Sequence, residues 1–289
     1  MIENPIPVGY MDRRAEGTSV LRQAQLVQLH LLHVLDEICR RHDIGYWLAW
    51  GSCLGALRHG GFIPWDDDLD VGMFAADYRR LLKILPSELP DDVRLQRPED
   101  CPRVAIPFAK IRDVNSFCGE VRPDVSIADP SGLYIDLFPF EDVPMVGRPF
   151  ARFLIHAAGS SWHRSKQFLN RASLSVVSAI WSVPVAIAFR ALNLLVSVLV
   201  WILRKTLPCP LVSAMFNHGS DYLYPRSWFE TTRLQKFEDG EFPVPAEAEK
   251  YLSVRYGAWQ KIPPPEDRPR HAVLIDPFHS IDNYGGEGD

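Results

Sequence analysis

This sequence predicts an α/β chain, with helices packed on a mixed sheet, and three observations predict it. Leucine and isoleucine recur at helical spacing early in the chain, at Leu21, Leu26, Leu29, Leu32, Leu35 and Ile38. Short apolar runs bounded by glycine, proline or charge follow, in "YWLAW", "DLDVGM", "PRVAIPFAKIRDV" and "GLYIDLFPF". The two patterns alternate along the chain instead of segregating into separate all-α and all-β blocks.

Taken in order, residues 1–17 form an N-terminal extension, and a helix covers 18–43. Thr18 or Ser19 caps it and Asp43 breaks it. A short strand, Tyr46–Trp50, runs into Gly51-Ser52 and a small-residue turn or helix start. "GFIPW" reads as a loop and "DLDVGM" as a second strand. A short helix, Tyr78–Leu85, stops at Pro86. Two further strand-like runs follow, the second holding a single carboxylate, Asp136, among hydrophobic residues. Together these elements place a catalytic core at 18–150.

The composition then changes. Ala172–Leu203 contains no acid and only Arg190 as a charge, with Arg164, Lys166 and Arg171 before it and Arg204 and Lys205 after it. This marks a helical insertion over 151–230. Ser182 is expected to cap a helix with Pro184 in its first turn. Arg190, Asn193, Ser197 and Arg204 then form a narrow polar stripe on an apolar surface. A membrane span needs about 20 uninterrupted apolar residues, and Pro184 and Arg190 divide this stretch. Two readings remain open: a pair of buried helices, or an interfacial or re-entrant membrane segment over 172–203 whose flanking cations suit anionic lipid. The remainder, 231–289, is proline-rich yet full of aromatics. It reads as ordered turns wrapped over the core, with one helix at Ala246–Tyr256.

Charge and cysteine usage exclude some classes. A net charge of −5 with scattered basic residues argues against a nucleic-acid binder. Cys39, Cys53, Cys101, Cys118 and Cys209 are odd in number and show no CxxC spacing, as expected of free thiols in a reducing compartment. The opening residues lack a basic region followed by an apolar core. The expected location is cytoplasmic, with a peripheral place on the inner face of the cell membrane.

The chemistry points to "HGGFIPWDDDLDVGM", which crowds Asp66, Asp67, Asp68 and Asp70 into five positions. In a strand alternate residues share a face, so Asp66, Asp68 and Asp70 point one way and Asp67 the other; Asp66, close to Pro64, fits the loop as well, which leaves Asp68 and Asp70 as the firmer pair. Like charges on one face repel unless a cation or proton lies between them. Hard divalent cations such as Mg²⁺, with Mn²⁺ as the alternative, take carboxylate and phosphate oxygens. A solvated acidic loop is the bland alternative. The large apolar residues on both sides and the isolated Asp136 count against it. Upstream, Gly51 permits close backbone approach and Ser52 adds a hydroxyl at a helix start, an arrangement that favours anions. Arg58 and Lys110 are cationic candidates for phosphate oxygens. His59 and Asp113 are weaker candidates, and His156, His163, His218 and His271 read as structural. The residues alone therefore support metal-dependent phosphoryl chemistry.

The stretch "YWLAWGSCLGALRHGGFIPWDDDLDVGM" resembles the LicD family of phosphotransferases, which includes bacterial phosphorylcholine transferases and fukutin-related proteins. "FAKIRDVNSFC", "GLYIDLFPFEDVP" and "FPVPAEAEKYLSVRYGAWQKIPPP" fall in family order. The resemblance implies a nucleotidyltransferase-like fold with helical additions. It implies transfer of a phospho-alcohol from a CDP-linked donor to a hydroxyl of a glycan or a lipid-linked glycan. On this carry-over Gly51 and Ser52 contact donor phosphates, Asp68 and Asp70 bind Mg²⁺, and Asp136 acts as ligand or base. Arg58 and Lys110 hold the pyrophosphate. The long spacing from Ser52 to Asp68 brings in Asp66 as a further metal partner. Two rivals share these elements: a nucleotidyltransferase adding NMP to a small molecule or protein, and an inactive membrane-associated scaffold.

Overall fold

Ser19, not Thr18, opens helix α1 (Val20–Arg41), its Oγ accepting from the Arg22 N–H at 3.2 Å. Leu26, Leu29, Leu32, Leu35 and Ile38 are buried along it, so the periodic stripe faces a core. Strand β1 (Trp47–Leu48) leads directly into α2 (Trp50–His59). That helix ends on Gly60 with φ of 65°, a left-handed cap that glycine adopts without a Cβ penalty. After a loop come β2 (Asp70–Phe74) and α3 (Ala75–Glu88).

Two expectations are corrected here. The strand begins at Asp70, so Asp66 lies in the preceding loop, as its nearness to Pro64 allows, and Asp68 lies there too, where strand alternation does not govern it. Helix α3 also runs through Pro86. Proline removes only the bond from its own nitrogen, and the Leu89 N–H still reaches the Leu85 carbonyl at 3.0 Å.

The chain continues through β3 (Val93–Gln96), β4 (Ala109–Asp113), β5 (Phe117–Glu120) and β6 (Tyr134–Val143). Helices α4 (Arg148–Ala172) and α5 (Val176–Thr206) follow, then β7 (Leu211–Ala214) and β8 (Tyr224–Pro225). The chain closes with the hairpin β9 (Thr232–Phe237) and β10 (Gly240–Pro245), α6 (Ala248–Tyr256) and β11 (Ala272–Asp276). This computed structural model describes residues 11–100, 108–120, 131–172, 176–214, 222–268 and 272–280. Cys101, His218 and His271, read above as a thiol and structural histidines, lie outside them, as does the side chain of His163.

The chain divides into two units. The first comprises Met1–Arg97, Ala109–Phe138 and Thr232–Asp289. Its strands run in the order β1-β2-β6-β4-β3, giving the α/β fold with a mixed sheet. The Asp136 N–H donates to the Leu69 carbonyl at 2.9 Å, fixing β6 beside the approach to β2. Leu48, Val71, Met73, Ile111, Ile135 and Leu137 are fully buried on these strands, as is Leu69 just before β2. A second sheet pairs β5 with β11, and Cys118, Leu133 and Tyr134 pack there with Ala24 and Val27 of α1. Asp113 belongs to the framework. It is fully buried, and both its oxygens accept from Arg14, at 3.1 and 2.6 Å, while Arg14 also donates to the Pro277 carbonyl.

The second unit comprises Pro98–Phe108 and Pro139–Thr231. The end of β6 pairs with β7, and β7 with β8. Val143, Ala151, Leu154, Ile155, Ala158, Val196 and Val200 form its apolar cluster, where α4 packs on α5. The expected Ser182 cap is not a helix start: α5 begins at Val176 with Pro184 inside it. One proline costs a single backbone bond, to the Ile180 carbonyl, and leaves the rest of a 31-residue helix intact. The expected polar stripe is also divided. Asn193 turns inward, donating to the Ala158 carbonyl at 2.9 Å, and Arg204 binds Glu141 at 2.8 Å and the Asp142 carbonyl at 2.7 Å. Arg190 and Ser197 stay exposed.

Candidate active site

Four backbone elements of the first unit converge on the acids. The turn from β1 to α2 is tight. Trp50 adopts a φ of 37°, rare for a residue with a side chain, and its ring meets Phe138 edge-on at 4.4 Å. Its N–H donates to the Tyr251 hydroxyl at 3.0 Å. Ala49, the N-cap, offers no side-chain acceptor, so the positive end of α2 is left to other groups. The nearest of these is a carboxylate. A Cβ on Gly51 would stand 2.9 Å from Asp66 Oδ2, so only glycine lets helix and carboxylate approach this closely. Ser52 is buried, and its Oγ accepts from the Asp70 N–H at 2.8 Å. This ties the start of α2 to the start of β2.

The loop between them is held from below by α1. Gln25 donates to the Asp66 carbonyl at 2.9 Å and Gln28 to the Asp67 carbonyl at 2.8 Å. So anchored, Asp66, Asp67 and Asp68 each bring an oxygen within 4.8 Å of the others. Asp67 was expected to face away. It joins the group because the segment is a loop, where alternation does not apply. The β4–β6 register sets Lys110 opposite Asp136. Lys110, 1% exposed, places Nζ 3.0 Å from Asp136 Oδ1 and 3.3 Å from the centroid of the Tyr134 ring.

Electrostatics tie the pieces together. Burial holds the Asp70 carboxyl well above the usual carboxylate range, and Asp68, Asp136 and Asp66 push it further, against the pull of Lys110. Asp66, Asp68, Asp136 and the buried Lys110 ammonium thus all act on Asp70, and Asp67 lies beside Asp66 and Asp68. All the donors are oxygens, the set that a hard divalent cation takes, and a cation among them would reverse the repulsion. The residues fit Mg²⁺.

The C-terminal segment supplies parts that sequence reasoning missed. The Tyr256 phenol is raised, first by desolvation of its hydroxyl end and then by Asp70, Asp66 and Asp68, although the residue as a whole is 38% exposed. Its signal was present as an aromatic just before Gly257, a glycine with φ of 63°. Arg58, expected to take donor phosphate oxygens, is already engaged. Its Nη1 donates to the Trp259 carbonyl at 2.8 Å and its Nε to His59 at 2.9 Å. Burial lowers its pKa, with Asp66 and Tyr256 opposing. Arg268 stacks over Trp65 with Cζ 4.0 Å from the ring centroid. His59, lowered by burial and then by Arg58, serves this packing.

Residues 43–168 match the model of the LicD/FKTN/FKRP nucleotidyltransferase domain. The chain carries a LicD-family domain. Over 269 residues it is 26% identical to the lipopolysaccharide cholinephosphotransferase LicD of Haemophilus influenzae, covering 88% of this chain and 96% of that protein. A 34-residue stretch is 56% identical to the human ribitol 5-phosphate transferase FKRP, covering 12% of this chain and 7% of that one. Mouse FKTN, a ribitol-5-phosphate transferase, is 31% identical over 70 residues, 24% of this chain and 14% of its own. The LicD domain contains every acid of the cluster, Lys110, and the Gly51-Ser52 start of α2.

Proposed function

We propose that this protein transfers a phospho-alcohol, of the phosphorylcholine type, from a CDP-linked donor to a hydroxyl of a cell-surface glycan or glycolipid precursor. The observation that carries the reading is the clustering of Asp66, Asp67 and Asp68, the coupling of Asp70 to Asp68, Asp136 and Asp66, and the pairing of Asp136 with the buried Lys110, near a start of α2 whose N-cap side chain makes no hydrogen bond. The relatives named for cholinephosphate and ribitol phosphate transfer support the transferred group.

In the reaction, the acceptor oxygen forms a bond to the phosphorus bearing the alcohol. The bond from that phosphorus to the bridging oxygen breaks, and CMP leaves with the electron pair. Asp66, Asp68 and Asp70 are assigned to hold Mg²⁺, which would neutralise phosphate charge and stabilise the attacking and leaving oxygens. Asp136 serves as a further ligand or as the base that takes the hydroxyl proton, and Lys110 fixes its orientation. Ser52 sets the backbone position of Asp70, and the N–H groups of α2 face phosphate oxygens. Work on a lipid-linked acceptor places the enzyme at the inner face of the cell membrane.

The test is CMP release from a panel of CDP-alcohols, in Mg²⁺ and in EDTA, for the wild type and Asp70→Asn. Metal-dependent release from one donor, lost in the variant, supports the transfer. Pyrophosphate release from nucleoside triphosphates instead would establish nucleotidyl transfer. Silence with both, acceptor present, would leave a scaffold.

A further inference from the structure

Residues 148–206 contain eight of the chain's 31 lysines and arginines and none of its 36 aspartates and glutamates. The rest of a chain with net charge −5 therefore carries every acid against 23 basic residues. This acid-free stretch is the α4–α5 hairpin, and its two helices differ. On α4 the exposed Arg152, His156, Ser160, Arg164 and Gln167 form one polar stripe at steps of three and four, with Phe150 and Phe153 exposed at its start. On α5 the exposed surface is apolar: Ile187 is 61% exposed, Leu195 68% and Trp201 61%.

Among the described residues helix α5 buries a narrow line, Ser182, Ala186, Val196 and Val200, the last two packed with α4. At about 100° per residue, Ile180, Ile187, Leu194 and Val198 fall on the opposite side, and all are exposed. Arg190 and Ser197 fall on the flank between these faces. Isolated exposed apolar residues are ordinary, but a continuous face of this size rimmed by cations marks an interaction surface.

We infer that the α4–α5 hairpin docks in the plane of an anionic lipid leaflet, with the outer face of α5 in the acyl region. Arg190 on the flank and Lys205 at the end reach the headgroups. The stretch Ser182–Thr206 is long and apolar enough to cross a membrane. Packing opposes a crossing, because α5 lies along α4 and would carry Arg152 and Arg164 into hydrocarbon, where a charge is costly. Lying flat, the hairpin keeps the α4 stripe in water and lets Arg190 snorkel. Charge decides between lipid and a second copy. A self-pairing hairpin would bring like cations together with no acid to offset them, whereas an anionic surface neutralises them. This inference rests on the membrane location in the proposed function and not on the chemistry proposed there.

The experiment is flotation of the full chain with vesicles of phosphatidylcholine alone or mixed with phosphatidylglycerol. Binding is expected to the mixed vesicles and about tenfold weaker to the neutral ones, with salt weakening the former. Ile187→Glu with Leu195→Glu, both at exposed positions, should abolish binding while leaving the thermal melt unchanged. Arg190→Glu with Lys205→Glu should remove the preference for anionic vesicles. Flotation of the Ile187/Leu195 variant like the wild type would overturn the inference. So would a wild-type dimer in vesicle-free buffer that this variant converts to a monomer. CMP release is read separately, without vesicles. Binding without release defeats only the transferase reading, and release without binding defeats only the docking surface.

Discussion

Two stretches of this protein depart from ordinary composition in opposite directions. Asp66–Asp70 packs four carboxylates into five positions, and residues 148–206 contain none. The first is locally costly because its charges repel and are desolvated, the second because apolar side chains face water. The chain's own packing relieves each cost in part. Lys110 offsets part of the acid repulsion, and the α4 contact covers only one line of α5. A globular protein holds such features where a partner from outside completes them. The partner proposed for the acids is a divalent cation with phosphate, and for the helix a lipid surface.

The comparison can be broken most sharply at Asp70. Asp70→Asn is expected to lower CMP release by roughly 10⁴-fold, about 5 kcal/mol in the barrier. In EDTA the same variant should melt at or above the wild-type temperature, because a repelled carboxyl has gone. A large loss of stability in the variant would show that the acids hold the fold rather than a cation.

Lys110→Met should cost about 3–5 kcal/mol of stability in urea unfolding, since it leaves buried carboxylates without their counter-charge. Mg²⁺ should restore part of that loss.

The helices provide a paired test of smaller size. Val200→Ala removes part of the α4–α5 contact and should cost about 1–3 kcal/mol in thermal or urea unfolding. Leu195→Ala on the outer face should stay within about 0.5 kcal/mol of wild type without vesicles. An equal cost at both positions would mean the outer face is covered in solution.

Asp36 supplies a buried acid that has its own partners, and the smallest expected effect. Burial raises its carboxyl, while Tyr46, whose hydroxyl donates at 2.6 Å, and Arg40 oppose the rise. A raised folded pKa means that the folded state holds the proton more tightly than the unfolded state. Its contribution is therefore present below the ordinary carboxylate range and is lost as pH rises through the folded pKa. Asp36→Asn should gain on wild type as pH rises above about 4, the ordinary carboxylate value. Melting curves across pH should show this gain unchanged by Mg²⁺, whereas any gain of Asp70→Asn should vanish when Mg²⁺ is added.

Much of the local order was legible because it depends on spacing. The stripe of α1, the helix start at Gly51-Ser52 and the apolar bracket around the acids all follow from neighbours in sequence. The misreadings share one origin. Alternation was carried back from β2 into a loop, which turned Asp67 away from Asp66 and Asp68. Pro86 and Pro184 were given the power to stop or start helices, although each removes one hydrogen bond. Asn193 and Arg204 were assigned to an outward stripe, although partners on α4 and β6 draw them inward.

The sequence by itself determined which chemistry was available. Oxygen donors, a helix-start glycine and serine, an acid-free apolar stretch and the LicD resemblance are all properties of neighbouring residues and their order. Only the tertiary structure decided which groups meet. The β4–β6 register placed Lys110 opposite Asp136, α1 anchored the acid loop through Gln25 and Gln28, and α6 carried Tyr251 to the start of α2. Those meetings join residues far apart along the chain, and no local pattern encodes them. They follow from the burial of all the apolar faces at once, and the same packing chose which face of α5 stayed exposed.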